Sequence, residues 1–174
     1  LAGVTMLTND AATTSRFLTQ ALCMQLASDV VLTPPDIEQR HALWGLPRDS
    51  VCREQTFVGT DSTPAITVRV LVTAGGELIR PAMESRLTGG LSIGFPVASL
   101  EQTLTRVTAL GYESTAGIVP LTITRPDGSS YVSGEILFRG PEQIYMLVVG
   151  RPSDMTPVGP IDAASGIGGP AYSA

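Results

Sequence analysis

The amino-acid sequence predicts an α+β fold built from two similar units. In the first half of the chain, the alternating segment AGVTMLTND has the pattern of a half-buried strand and leads into an apolar helical stretch. After Gly90 the same order recurs, because LSIGFPV has the pattern of a strand and SLEQTLTRVTALGYE that of a helix. Strand-like segments follow each helix. A single unit of this kind leaves one sheet face uncovered, so we expect the two units to pack together.

The first unit is expected to span residues 1–88. Asp10 can cap its first helix, and the apolar side chains of that helix share one face: Phe17, Leu18, Ala21, Leu22 and Leu26. SDVVLTP predicts a short strand, and PPDIEQRHALWGLP predicts a helical insertion over about residues 34–46. TPAITVRVLVT is rich in β-branched residues and predicts a further strand, which a linker follows.

The second unit is expected to span residues 89–152. Its helix carries an apolar stripe and ends at Gly111, and the stripe consists of Leu100, Leu104, Val107 and Leu110. The segment from Val119 to Pro152 predicts successive strands with turns at PDG and GPEQ. Residues 153–174 have the composition of a linker. Their end, GGPAYSA, is similar to GGLSIGF, so either a ragged tail or the start of a further module is expected there.

Composition excludes several classes of function. The chain has 174 residues, of which 43% are hydrophobic and 16% charged, with a net charge of -5 and a pI of about 4.8. This balance argues against a nucleic-acid or anionic-membrane partner, because those surfaces require clustered basic residues. The chain contains no Lys, which excludes Schiff-base chemistry on a lysine. With no bilayer-length apolar run and no signal peptide in the sequence, we expect a cytoplasmic location.

Two stretches carry a family likeness. VTMLTNDAATTSRFLTQALCMQL resembles the opening of a module of the vicinal oxygen chelate superfamily, which includes glyoxalases, bleomycin-resistance proteins and extradiol dioxygenases. LSIGFPVASLEQTLTRVTALGYES, together with GEILFRGPEQIYMLVVGRP, resembles a complete second module. The resemblance covers nearly the whole chain and is loosest over residues 33–65. It implies two βαβββ modules whose mixed sheet curls into a half-barrel around a shared cavity.

The same resemblance raises the question of a metal. Members of the superfamily typically bind a divalent cation through His and Glu side chains on cavity-facing strands. Carried over by position, the two His sites fall on Gly3 and Ser92, and the two Glu sites fall on Leu147 and near Arg69. None of these is a normal ligand for a divalent cation. We therefore expect no metal and no other cofactor.

Strand alternation indicates which polar residues take the place of the metal ligands. It places Thr67, Arg69, Ser92, Glu135 and Tyr145 on the faces opposite the helices, and a one-residue error in register would invert this assignment. A few polar groups among apolar neighbours suit a small organic ligand. Arg69 and Glu135 either form a structural ion pair, or bind a carboxylate or enolate oxygen and act as general base, respectively.

His41 is the only histidine of the chain and shares a helical face with Trp44. One interpretation is a partly buried histidine beside the core. The other is a pocket lid, in which His41 acts as an acid or base and Trp44 forms a stacking wall.

Two hypotheses about function follow. The first is a metal-independent isomerase or lyase that acts on a hydrophobic or aromatic oxygenated metabolite, with Glu135 and His41 as catalytic residues. The second is a binding module that sequesters or carries a small molecule, because no group of residues in the sequence demands chemistry. In both, the partner is a small-molecule ligand, and we expect association with a second copy or with further modules of the same chain.

Overall fold

The computed structural model describes residues 3–59, 67–74, 92–97, 99–124 and 126–150, which form two four-stranded mixed sheets. The predicted linker at 75–90 and the tail from residue 151 onwards lie outside these residues. The strands of the first sheet are β1 (Gly3–Thr8), β2 (Gln25–Val31), β3 (Val51–Val58) and β4 (Thr67–Thr73). Those of the second are β5 (Ser92–Val97), β6 (Val119–Thr124), β7 (Ser130–Arg139) and β8 (Tyr145–Gly150).

Both sheets have the same connectivity. The strand orders are β1-β4-β3-β2 and β5-β8-β7-β6. In each sheet the first strand runs parallel to the last, and the other neighbours are antiparallel. The two sheets are separate and are not closed into a barrel, as expected of half-barrels. The predicted α+β fold of two βαβββ modules is confirmed.

The first helix is shorter than predicted. Asp10 caps helix α1 (Ala11–Arg16), because its side chain accepts a hydrogen bond from the Thr13 backbone N–H at 2.9 Å. A π-helical turn continues the helix over Phe17–Ala21. Cys23 then adopts a left-handed conformation with φ of 55° and redirects the chain into β2. The prediction that Leu26 belongs to the apolar helix face is wrong, because Leu26 lies in β2 and is 44% exposed.

Strand β3 was not predicted. Its sequence, VCREQTFV, places Arg53, Glu54 and Gln55 in succession, so it lacks a clear alternation of apolar and polar residues. Pairing with β2 on one side and β4 on the other specifies it as a central strand. The local polarity of the segment is therefore overridden by contacts with residues distant in sequence.

One hydrophobic core joins the two modules. Helix α3 (Leu100–Ala109) and the π-helical turn after α1 pack together, and the helix-facing residues of both sheets belong to the same buried cluster. Phe17 lies at its centre: the ring centroid is 5.2 Å from that of Tyr112 in an edge-to-face contact and 5.8 Å from that of Phe138. The helix-facing residues Phe95 of β5 and Ile136 of β7 are fully buried. We call the opposite side of each sheet its outer face.

A polar contact adds to this junction. Glu142 Oε1 accepts hydrogen bonds from the Thr8 hydroxyl at 2.6 Å and from the Asn9 backbone N–H at 3.0 Å. The buried hydroxyls of Thr8 and Thr14 are 2.9 Å apart. Glu142 itself has a φ of 56°, in the left-handed region that costs a non-glycine residue about 1 kcal/mol or more. Its bonds to the other module offset that strain.

Helix α2 (Pro34–Trp44) packs on the outer face of the first sheet and confirms the predicted insertion. Thr33 and Asp36 form a capping box at its N-terminus. The Thr33 hydroxyl donates a hydrogen bond to the Asp36 carboxylate, and this bond lowers the pKa of Asp36. Beneath the helix lies a small apolar cluster of Leu32, Val51 and Leu71 with Ile37 and Leu46. Of the helices within the described ranges, none combines the length and the hydropathy needed to span a bilayer.

Replacement of Phe17 by Ala tests the shared core. The ring is fully buried and contacts the second module, so Phe17→Ala should lower the free energy of unfolding by about 3–5 kcal/mol. Urea denaturation followed by both fluorescence and circular dichroism measures this change. Leu43→Ala is the control, because Leu43 is 62% exposed. Two separate unfolding transitions in the wild-type protein would contradict a single core.

Replacement of Glu54 by Gln tests the contact that holds α2. Glu54 is 8% exposed and its carboxylate is bound by Arg40 of α2, so the change leaves buried positive charge unpaired. We expect a loss of about 3 kcal/mol in the free energy of unfolding. Glu38→Gln removes the partner of Arg48 in an ion pair that is more than half exposed, and should have no measurable effect. Equal effects of the two variants would show that the Glu54 contact does not stabilise the fold.

Candidate functional site

The sequence-predicted site residues fall into two groups on the two sheets. Thr67 and Arg69 lie on β4 of the first sheet, and His41 and Trp44 lie on α2, which packs on the same sheet. Ser92, Glu135 and Tyr145 lie on β5, β7 and β8 of the second sheet. Each predicted module thus contributes part of the set, and the single site formed by all of these residues stays a prediction.

On the outer face of the first sheet, a carboxylate binds two arginines. Glu54 Oε2 accepts hydrogen bonds from Arg40 Nε at 3.0 Å and from an Arg40 terminal nitrogen at 2.6 Å. Glu54 Oε1 lies 3.2 Å from Arg69 Nε. Arg40 is almost buried, with 14% of its side chain exposed, whereas 45% of the Arg69 side chain is exposed. Glu54 therefore positions a guanidinium that solvent or a ligand can reach.

Neither Glu54 nor Arg40 was predicted as a site residue. Glu54 stands between Arg53 and Gln55 in β3, and Arg40 lies on α2, so no local pattern of the sequence marks either residue. The ion-pair partner of Arg69 is Glu54, and no ion pair joins Arg69 to Glu135 in the described parts of the chain. The structural ion pair considered from the sequence is therefore formed with a different carboxylate.

On the outer face of the second sheet, an arginine contacts a tyrosine on the neighbouring strand. Arg139 and Tyr145 are register partners on β7 and β8, and Ser92 is the register partner of Tyr145 on β5. A terminal nitrogen of Arg139 donates to the Tyr145 hydroxyl at 3.0 Å, and the Arg139 guanidinium carbon lies 5.0 Å from the centre of the tyrosine ring. Leu137 and Leu147 form the next row of the same face.

Glu135 occupies the other end of this face. It is half-buried and lies in register between Val119 of β6 and Val149 of β8. Within the described residues its carboxylate has no hydrogen bond and no ion pair. Glu135 and Arg139 are four residues apart along β7, which corresponds to about 13 Å at the rise of a β-strand. The face therefore presents an unpaired carboxylate and an arginine–tyrosine pair at opposite ends of an apolar strip.

His41 and Trp44 lie in the last turn of α2. His41 is half-buried, and its Nδ1 lies 2.8 Å from the Leu46 carbonyl oxygen. Because a carbonyl oxygen only accepts hydrogen bonds, this contact requires the proton on Nδ1. The bond supports the turn at Gly45, which ends the helix in a left-handed conformation. Trp44 is 42% exposed. The role of the two residues as a lid stays a prediction.

The residues at the usual metal positions do not fit a divalent cation. Gly3 has no side chain, Leu147 is apolar, and Arg69 is a cation paired with Glu54. Over the described ranges, no group of three or more His, Cys, Asp or Glu side chains could hold a metal ion. These side chains therefore do not support a metal-dependent reaction.

Comparison with known proteins gives similarity at the level of structure. No protein-family model matches the sequence, and no curated protein matches it. A glyoxalase family protein from Bacillus cereus superposes with a TM-score of 0.66 and 15% identity, over 86% of this chain and 92% of that chain. Glyoxalase I from Zea mays gives a TM-score of 0.61 at 12% identity, over 92% of this chain and 47% of that chain.

A third solved structure is similar over nearly its whole length. The glyoxylase/bleomycin resistance protein/dioxygenase domain from Frankia sp. EAN1pec has a TM-score of 0.56 at 15% identity, over 87% of this chain and 97% of that chain. At this level of identity the similarity establishes the fold and not the activity. The chain therefore has the fold of the vicinal oxygen chelate superfamily, shared by glyoxalase, bleomycin-resistance and dioxygenase domains.

Proposed function

We propose that the protein is a metal-independent isomerase or lyase that acts on a hydrophobic or aromatic oxygenated metabolite. The observation that carries this proposal is Glu135, a half-buried carboxylate with no partner in the described residues, on a face that also holds the Arg139–Tyr145 pair. A general base must have a free lone pair and a position beside the substrate. In contrast, both carboxylate oxygens of Glu54 on the first sheet already contact arginines.

The arrangement of the face supports the proposed substrate class. Leu137 and Leu147 provide an apolar surface between the two polar ends, on which the body of a flat hydrophobic molecule can lie. Arg139 and Tyr145 can donate hydrogen bonds to an oxygen at one end of the ligand. Because the polar ends are about 13 Å apart along the strand, the ligand should be elongated, with its reacting carbon near Glu135.

The proposed reaction is a proton transfer. Glu135 takes a proton from a carbon next to a carbonyl group, and the electron pair of that C–H bond moves into an enolate. In an isomerase that acts on a β,γ-unsaturated carbonyl compound, the enolate is conjugated with the double bond, and the same carboxyl group returns the proton to the γ-carbon, so the double bond moves into conjugation with the carbonyl group. In a lyase the enolate expels a leaving group from the adjacent carbon, and the carboxyl group gives up its proton to that group. Both courses restore the Glu135 carboxylate without a metal.

Non-catalytic binding of a small molecule is the second candidate. The observation that favours it is the bond between Arg139 and Tyr145, which makes the two side chains a fixed recognition element. In this case Glu135 contributes only shape and charge. The two candidates differ in one respect: catalysis requires the Glu135 carboxylate to accept a proton, and binding does not.

A pair of substitutions separates the candidates, once a thermal-shift screen of hydrophobic ketones and aromatic acids has identified a ligand. Glu135→Gln keeps the shape of the side chain, so ligand affinity should stay nearly unchanged while turnover falls by about 100-fold or more. Tyr145→Phe should instead weaken binding by about 10-fold through the lost hydroxyl. Calorimetry measures the affinity and a product assay the turnover.

Glu113→Gln, at an exposed position, serves as the control and should leave both quantities unchanged. Full turnover in Glu135→Gln would exclude the carboxylate as base. Binding without turnover of any ligand by the wild-type protein would favour the binding module.

Metal independence has its own test. Because the usual ligand positions hold Gly3, Ser92 and Leu147, the purified protein should carry no stoichiometric divalent cation, and a chelator should leave its activity or ligand affinity unchanged. Elemental analysis measures the metal content directly. About one zinc, iron or manganese ion per chain would contradict the proposal, together with the assignment of ligand positions.

A further inference from the structure

We infer that the outer face of the first sheet carries a second ligand site, which binds the carboxylate of a small organic acid and is centred on Arg69. The inference is independent of the activity proposed for the second sheet. It rests on three features of the first sheet: the charge balance around Glu54, the orientation of Arg69, and the hydroxyl groups on both sides of it.

The ion-pair cluster contains two arginines and one carboxylate. Arg40 and Arg69 contribute two positive charges and Glu54 one negative charge, so these three residues have a net charge of +1. Each nitrogen of the Arg40 guanidinium donates a hydrogen bond: Nε and one terminal nitrogen donate to Glu54, and the other terminal nitrogen donates to Gln39 at 2.7 Å. Arg69 is the more exposed of the two arginines and is therefore the one that an anion can reach.

The orientation of Arg69 suits a carboxylate. Its Nε is the nitrogen nearest to Glu54, at 3.2 Å, and within the described ranges its two terminal nitrogens form no hydrogen bond. Nearly half of the side chain is exposed. A guanidinium held at Nε presents its two terminal nitrogens together, and this pair of donors matches the two oxygens of a carboxylate. Glu54 acts here as a positioning residue.

Hydroxyl groups flank the guanidinium on both neighbouring strands. Thr5 of β1 and Thr56 of β3 are the register partners of Arg69. Side chains in register on adjacent strands have Cβ atoms about 5 Å apart, which brings both hydroxyls within reach of an anion bound at Arg69. In the described residues neither hydroxyl has a hydrogen-bond partner. Each can donate to a bound oxygen.

An apolar side chain lies beside this row. Leu7 follows Thr5 by two residues on β1, faces the same side of the sheet and is 38% exposed. A ligand whose carboxylate lies at Arg69 can place an apolar body against Leu7. This arrangement favours an organic acid over an inorganic anion, which has no apolar part.

The test uses sodium benzoate as the probe, with benzamide as its neutral analogue. In the full chain, benzoate should shift the backbone amide signals of Thr5, Thr56 and Arg69 in a saturable way, and benzamide should not. Arg69→Gln should weaken benzoate binding by about 10-fold or more, since it removes the charged pair of donors. Arg48→Gln, which removes an exposed arginine from another ion pair, should leave the affinity unchanged.

A second variant keeps the inference testable if Arg69→Gln fails to fold. Thr5→Val combined with Thr56→Val preserves side-chain shape and strand propensity, and should weaken benzoate binding by about 3-fold or more through the lost hydroxyls. Unchanged affinity in this double variant, or equal losses in Arg69→Gln and Arg48→Gln, would overturn the site. Inorganic phosphate binding as tightly as benzoate would overturn the assignment to an organic acid. We expect Glu135→Gln to leave benzoate affinity unchanged, and this measurement separates the site at Arg69 from the activity proposed for the second sheet.

Discussion

The packing of both helical layers into one core is the constraint on which the rest of the structure depends. Phe17 of the first module contacts Tyr112 and Phe138 of the second, so each module covers apolar surface that the other leaves open. The shared core occupies the helix-facing side of both sheets. On that side the strand residue Thr8 is bonded to Thr14 and Glu142. Arg69 and Tyr145 lie on the outer faces, which are the faces that a ligand can reach.

The two outer faces use charge in different ways. On the first, Glu54 is buried and forms ion pairs with Arg40 and Arg69. Such a buried ion pair fixes the positions of its side chains but adds little to the net free energy of folding. On the second, Glu135 lies in register between two valines and has no partner in the described part of the chain, while Arg139 donates to Tyr145. The first arrangement suits recognition of an anion, and the second suits acceptance of a proton. Two modules with the same strand order thus present faces with different polar groups.

Much of the fold could be predicted from the sequence, because alternation and helical periodicity are local signals. They placed Leu100 and Val107 on the apolar face of the second helix and Tyr145 and Arg69 on the faces opposite the helices, as the structure shows. They failed for β3, whose Glu54 is bound by Arg40 and Arg69 from other elements. They failed also for Leu26, where the left-handed Cys23 ends the helix early. The set of site residues predicted from the sequence was incomplete for the same reason, since no local pattern links Glu54 to Arg40 and Arg69.

A crystal structure of the protein with a ligand found by screening tests the central claim most directly. The account predicts electron density for the ligand over Leu137 and Leu147, with a ligand oxygen at Tyr145 and a carbon beside Glu135, and with Phe17 still packed between the modules. Density on the helix-facing side of either sheet would contradict the account. An ion pair between Arg69 and Glu135 in that structure would contradict it equally, because the two residues would then share one site.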